Sequence, residues 1–148
     1  MLRMIDLPPV WLAGFAVLAW LGAMPAFDGT AAQMLFAAGV VVGLAGAVLM
    51  ALAAWAMWRA RTTIIPRRAP SRLVTGGVFA FSRNPIYLSD LMILAGLSLI
   101  WQSWLGLVLV PVLVWVLSAR FIRDEEARLL AAFGAEAEAW MARVRRWL

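Results

Sequence analysis

Two short polar segments hold most of the residues in this chain that could do chemistry. One is Arg83-Asn84-Pro85-Ile86-Tyr87-Leu88, where an arginine-rich stretch meets a long apolar run. The other is Asp124-Glu125-Glu126, just past the end of that run. A guanidinium fork can clamp a carboxylate at two points. A carboxylate can accept hydrogen bonds from hydroxyls or from an ammonium group. Asp90 adds a fourth acid about two turns beyond Arg83, inside the apolar run, where an ionisable residue is a functional hypothesis by default. The alternative for Asp90 is an ion pair with Arg83 or Arg120 that holds helices together. The alternative for Glu125 and Glu126 is a solvated first helical turn, where acids suit the helix dipole. Adjacent residues project about 100° apart on a helix, so only one of the two glutamates easily faces a given pocket.

Missing residue types narrow the chemistry further. The 148 residues include no cysteine and no histidine, and all 13 basic residues are arginine. Thiol nucleophiles, cysteine metal sites, imidazole bases and lysine Schiff bases are therefore excluded. Hydrophobic residues make up 65% and charged residues 14%, against about 45–50% and about 25% in a soluble domain. An integral membrane protein of one domain follows. The net charge of +5 does not point to nucleic acid, because the arginines flank apolar segments and serve there as topology signals and lipid anchors.

These polar segments need elements to position them, and the apolar pattern supplies an all-α reading. Four membrane helices are expected, roughly over 8–26, 34–58, 86–101 and 103–121, within a single domain spanning 1–148. A signal peptide is the rival reading of the first, since Arg3 precedes it and small residues follow near Ala26. The stretch 86–121 is too long for one span and short for two. Trp101-Gln102-Ser103-Trp104 at its middle reads as the turn of a short hairpin at the interface. A loop over 59–85 links the two pairs. From 122 to 147, Leu129, Phe133, Ala137, Trp140, Val144 and Trp147 recur at helical spacing, giving an amphipathic surface helix with a break at Gly134.

Orientation comes from the arginines. Six lie between Arg59 and Arg83 with no acid among them, and none lies between Pro25 and Gln33. The positive-inside rule puts both termini, the long loop and the last helix in the cytoplasm, and in a bacterium this means the inner membrane. Both polar segments then face one compartment. Gly39, Gly43 and Ala47 form a small-residue stripe on the second span, suited to a homodimer seam or, preferably, to packing within the bundle.

A ligand matching this set would carry a carboxylate for arginine, a cation for one acid and hydroxyls for another. S-adenosylmethionine carries all three. The segment Leu73-Val74-Thr75-Gly76-Gly77-Val78-Phe79-Ala80-Phe81-Ser82-Arg83-Asn84-Pro85-Ile86-Tyr87-Leu88 is followed by Glu125-Glu126-Ala127-Arg128-Leu129-Leu130 and Phe133-Gly134. This order and spacing resemble the isoprenylcysteine carboxyl methyltransferase and phospholipid methyltransferase family of membrane enzymes. That family shows a Gly-Pro-Tyr-like turn, an Arg-His-Pro-x-Tyr motif, an apolar hairpin and a Glu-Glu pair ahead of a helix with Phe-Gly. The agreement runs from about Thr62 to the end of the chain. Asn84 stands where many members have histidine, Val78 replaces proline, and Ser89 replaces glycine. Asn84 can exchange hydrogen bonds but cannot act as a base near neutral pH.

The resemblance implies S-adenosylmethionine as cofactor, no metal, and methyl transfer to a lipid or lipid-like amphiphile with a carboxylate or amine acceptor. It implies a cofactor site of Gly77, Val78, Phe79, Arg83, Asn84, Pro85, Tyr87, Glu125 and Glu126. Arg83, Asp90 and Glu126 are the candidate catalytic residues. A membrane reductase with a nicotinamide cofactor and a non-enzymatic four-span transport or assembly protein are the rival readings.

Overall fold

The computed structural model describes residues 7–62 and 71–148; Arg3, Arg67 and Arg68, counted above as topology signals, lie outside them. The chain is all-α. Helix α1 covers Pro8–Leu21, α2 Gly29–Arg59, α3 Pro85–Ile100 and α4 Trp104–Leu117. A π-helical turn, Ser118–Ile122, carries α4 directly into α5, Arg123–Phe133, and α6 follows over Ala135–Arg143. Among the described residues, α2 and the continuous helix from Trp104 to Phe133 are long and apolar enough to cross a membrane. The apolar helices α1 and α3 have 14 and 16 residues. They rise about 21 and 24 Å, less than the roughly 30 Å hydrocarbon core.

Local sequence explains the helix ends. Pro8 and Pro85 stand at the first positions of α1 and α3, where a missing N–H costs nothing. Asn84, before Pro85, sits at φ −130° and ψ 57°, outside helical geometry, as a residue preceding proline must. Helix α1 stops at Leu21, short of Ala26, with Gly22 as its C-cap and Pro25 three residues on, where a helix cannot continue; Gly22 also packs directly on Leu105, and a Cβ there would come within 2.6 Å of the leucine side chain. Ser103 caps α4 by accepting a hydrogen bond from the Gly106 N–H at 3.0 Å.

Helix α3 lies at the centre, packed on α2, α4 and α1. Its Tyr87, Leu91 and Leu94 join Leu113, Leu117, Phe121 and Ile122 of the next helix and Phe15 and Ala19 of α1 in one core. Lipid tails are as apolar as leucine, so close fit rather than water exclusion must hold such helices together. The α2–α3 contact shows that fit. A Cβ on Gly96 would lie 2.7 Å from the Gly39 carbonyl and from the Gly43 nitrogen. The small-residue stripe is thus an internal seam between α2 and α3. Its register is Gly39, Gly46 and Ala53, all buried, seven residues apart. Ala47 lies off the seam and is exposed, because a stripe spaced by four drifts off a face that repeats every seven.

The carboxyl-terminal region also differs from one helix over 122–147. Gly134 has φ +50°, which breaks α5 from α6 where the sequence predicts it. Helix α6 ends at Arg143, and the final residues run as a non-helical strap. The strap's carbonyls are used elsewhere: Arg145 accepts from the Arg83 N–H at 3.0 Å, and Arg146 accepts from Asn84 Nδ2 at 2.9 Å. Val144 is buried with Ala53, Phe79 and Trp140, whereas Trp147 packs on the α3–α4 core. The strap therefore ties the two apolar clusters together across the mouth of the bundle.

Candidate functional site

The two polar segments meet at this mouth. Tyr87, in the first turn of α3, donates its hydroxyl hydrogen bond to Glu125 Oε1 at 2.7 Å. Arg83 Nη1 lies 3.2 Å from Glu126 Oε1. Residues some forty positions apart thus form two parallel pairs, one for each glutamate. The π-helical turn before α5 brings this about. A π turn holds an extra residue, and each helical residue turns about 100°. The turn therefore resets the face that α5 presents to α3. Phe121 and Ile122, in that turn, are buried, and the Phe121 ring stacks on Tyr87 with centroids 6.3 Å apart.

The two glutamates differ in kind. Among the described residues the hydrogen bond to Glu125 is the Tyr87 one at Oε1, and Glu125 lies beyond the apolar stretch of its helix. Burial pushes its carboxyl above the ordinary range, opposed by the Tyr87 hydrogen bond and by Arg128. Glu126 is heavily engaged. Arg146, from the strap, reaches it with Nε to Oε1 at 3.0 Å and Nη2 to Oε2 at 2.6 Å. With Arg83 on Oε1, three guanidinium nitrogens surround one carboxylate. A carboxylate offers about four lone-pair sites, so Glu126 has room for roughly one more donor. It cannot take both an ammonium and a pair of hydroxyls.

Asn84 is buried, and its side chain is spent on the strap. Its backbone N–H donates to Ser82 Oγ at 3.1 Å, and Ser82 Oγ donates to the Arg146 carbonyl at 3.4 Å. Pro85 is buried beneath this network. The segment Gly77–Ala80 forms a 3₁₀ turn. Phe79 turns its ring into the cluster with Ala53, and its carbonyl accepts from Trp140 Nε1 at 3.1 Å. Gly77 has φ +61°, which glycine tolerates best, and a Cβ there would meet nothing within 4 Å. The backbone at Gly77 is therefore approachable, whereas Val78 packs against that cluster and its carbonyl accepts from Phe81 and Ser82.

Asp90 is 2% exposed. It pairs with neither Arg83 nor Arg120: Arg83 is on Glu126, and Arg120 lies over the Trp11 ring at 5.7 Å. Asp90 follows Tyr87 by three residues, which puts the two on adjoining positions of one helix face. The structure thus brings Arg83, Asn84, Pro85, Tyr87, Glu125 and Glu126 together, with Asp90 one turn deeper in α3. It adds Ser82, Trp140 and Arg146. Trp140 was legible only as part of an apolar stripe, and nothing in the local sequence distinguishes Arg146 from its neighbour Arg145.

The donor set fits S-adenosylmethionine. A two-arginine cluster suits its carboxylate, Glu125 offers an oxygen for a hydroxyl or ammonium, and an approachable glycine turn adjoins an aromatic and apolar wall. Comparison with the curated proteins and with the solved structures finds no match. Residues 34–136 match the family described as phospholipid methyltransferase. The matched range holds every site residue named from the sequence and excludes Trp140 and the strap with Arg146. The chain belongs to the phospholipid methyltransferase family, integral membrane enzymes that take their methyl group from S-adenosylmethionine.

Proposed function

We propose that this protein methylates the amine of a phospholipid headgroup at the cytoplasmic face of the membrane. One observation carries the reading: Tyr87–Glu125 and Arg83–Glu126 meet within 2.7 and 3.2 Å at the mouth of the bundle, in a chain of this family. An amine acceptor is favoured over a carboxylate because Asp90, buried and without a cationic partner among the described residues, offers a carboxyl group that a cationic headgroup would complete and an anion would not.

Bound S-adenosylmethionine supplies an electrophilic methyl carbon on a sulfonium. The chain's own residues position, exclude water and move one proton. Arg83 holds the cofactor end, with Asn84 and Pro85 shaping the loop beside it. Gly77 and Val78 present backbone to the adenine, while Phe79, whose N–H and carbonyl are bonded to Gly76 and Trp140, anchors the turn. Glu125, steadied by Tyr87, takes a hydroxyl or the ammonium. A phospholipid amine is protonated near neutral pH and must lose that proton before its lone pair can attack, and the Asp90 carboxylate is the base that accepts it. Glu126 acts through Arg83, whose guanidinium it orients. Most of the catalytic gain on this reading is proximity within a site closed to water.

The reading includes four spans with both termini cytoplasmic, supported by the arginine distribution. A reporter fused at Leu148 should report the cytoplasm, and an extracytoplasmic result would put both polar segments in the wrong compartment. The function itself is tested by incubating purified protein with isotope-labelled cofactor and extracted lipid. Labelled N-methylated phospholipid is expected. Thermal stabilisation by NADPH but not by S-adenosylhomocysteine would instead favour the reductase reading.

A further inference from the structure

The 3₁₀ turn Gly77–Ala80, α6 and the strap form a cap that packs on one short section of α2. Phe79, Trp140 and Val144 are buried together with Ala53, and Ala56 and Met57 join the same cluster. Helix α2 carries no charged residue before Arg59. Arg59 lies six residues past Ala53, a rise of about 9 Å. Over that rise the outer side of α2 stays apolar. Leu52, Trp55 and Trp58 are all exposed, and the Arg59 guanidinium lies back over the Trp55 ring at 5.5 Å. Tryptophans beside arginine belong at a membrane–water interface. Helix α2 therefore sets the membrane boundary near Arg59, and the cap meets α2 on the membrane side of it.

One side chain of the cap points away from its core at this depth. Phe79 is buried, whereas Phe81, two residues on, is 76% exposed. The backbone fixes both. The N–H groups of Phe81 and Ser82 donate to the Val78 carbonyl, each at 3.3 Å. The Phe79 N–H donates to the Gly76 carbonyl at 3.2 Å, and the Phe79 carbonyl accepts from Trp140 Nε1. A lone exposed phenylalanine means little on a surface facing water. On a turn below the arginines of α2 it faces lipid. The bonds of the turn also let its backbone sit there, since polar groups cannot be left unpaired near hydrocarbon.

We propose that this turn is embedded in the cytoplasmic leaflet, with Phe81 inserted where headgroups meet acyl chains. The partner of this surface is the bilayer itself. The placement accounts for the shortness of α3, whose cytoplasmic end gives way to the embedded turn. It also sets the height of the site. Arg83, two residues past Phe81, opens among headgroups rather than into bulk water, and a lipid headgroup reaches Tyr87 with its acyl chains still in the membrane. Only the choice of leaflet rests on the function proposed above.

The chain has no cysteine, so single introduced thiols report depth without interference. Phe81→Cys, Arg59→Cys and Leu44→Cys each replace an exposed side chain. The three full-length proteins are labelled with one fluorophore in phosphatidylcholine nanodiscs. Phospholipids carrying a nitroxide at the headgroup, or shallow or deep on the acyl chain, quench the probe according to its depth. Leu44 calibrates the interior and Arg59 the boundary. The Phe81 probe should lie about 5–10 Å deeper than the Arg59 probe, the burial typical of an interfacial apolar face. A Phe81 probe level with the Arg59 probe, or outside it, would overturn the proposal. Alkylation of the unlabelled thiols by a charged maleimide removes any pull from the fluorophore. Phe81→Cys should react several-fold more slowly than Arg59→Cys, and equal rates would also overturn the proposal. Neither measurement involves turnover. Absence of labelled lipid product, with Phe81 at its expected depth, would remove the methyl-transfer reading and leave the embedded turn standing. Labelled product with Phe81 in water would do the reverse.

Discussion

The two ends of helix α3 solve the same packing problem with different chemistry. At its carboxyl end the chain turns through Trp101–Ser103, and Gln102 clasps the loop between α1 and α2. Its Oε1 accepts from the N–H groups of Ala26 and Phe27 at 3.0 and 2.8 Å, and its Nε2 donates to the Phe27 carbonyl at 3.1 Å. Phe27 packs edge-on against Trp104. Every group in that clasp is neutral, and each amide atom of Gln102 has a partner. At the amino end the same helix meets Arg83, Glu125, Glu126 and Arg146, charged groups with unused capacity. A neutral, closed network is what a membrane fold needs to join loops. A charged, unfinished one persists only where something else completes it.

Substitutions at the two ends should therefore behave differently. The largest effect is expected for Arg83→Lys, which keeps the charge and loses the fork. It should insert and fold as wild type yet lose most methyl transfer, roughly a hundredfold, taking about 3 kcal/mol for a lost charged two-point contact. Transfer of labelled methyl to extracted lipid is the measurement. Near-wild-type turnover would reduce Arg83 to a topology anchor, a role lysine fills equally well.

Next in size is Glu125→Ala. It should weaken S-adenosylhomocysteine binding about tenfold to a hundredfold, from the 1.5–3 kcal/mol typical of a charged hydrogen bond. Stability should change less than in Glu126→Ala, which strands two arginines together. Calorimetric affinity and detergent melting curves on both variants separate the two glutamates. If Glu126→Ala melts as wild type, its bridging role is wrong.

Gly96→Ala probes the middle of α3, away from either end. The added methyl meets backbone of Gly39 and Gly43 at 2.7 to 2.8 Å, and backbone cannot swing aside as a side chain can. A loss of about 1–3 kcal/mol is expected from overpacking, seen as a lower melting midpoint with ligand affinity following stability. An unchanged midpoint would mean that the α2–α3 seam is looser than these distances require. The smallest effect belongs to Gln102→Ala. It removes three neutral, exposed hydrogen bonds that water can replace, so each sits at the low end of about 0.5 kcal/mol and the loss should total roughly 1.5 kcal/mol, leaving turnover intact. A large activity loss there would erase the contrast between the ends.

Much of this was legible beforehand, for physical reasons. Proline after Asn84 must start a helix rather than continue one, and Gly134 at a positive φ must break one. The Trp101–Trp104 turn was readable because tryptophan and glutamine interrupt an otherwise apolar run. The small-residue stripe was readable as a seam, but its register was off by one at Ala47, since spacing alone does not reveal which repeat the partner helix imposes. Helicity to residue 147 was overread. Trp140, Val144 and Trp147 keep helical spacing, but the last two serve different apolar clusters from a non-helical strap.

By itself, the sequence determined the membrane character, the all-α class and the presence of two polar segments at the ends of one apolar run. These follow from composition and periodicity, which are local and additive along the chain. It could not determine which glutamate faces which partner. That depends on a π-helical turn at Ser118–Ile122, and a π turn has no compositional mark because the backbone adopts it to satisfy packing of Phe121 and Ile122. Nor could it single out Arg146 from Arg145. Only the tertiary structure folds the strap back across the mouth, where backbone carbonyls find Asn84 and Arg83 and one arginine of two reaches Glu126.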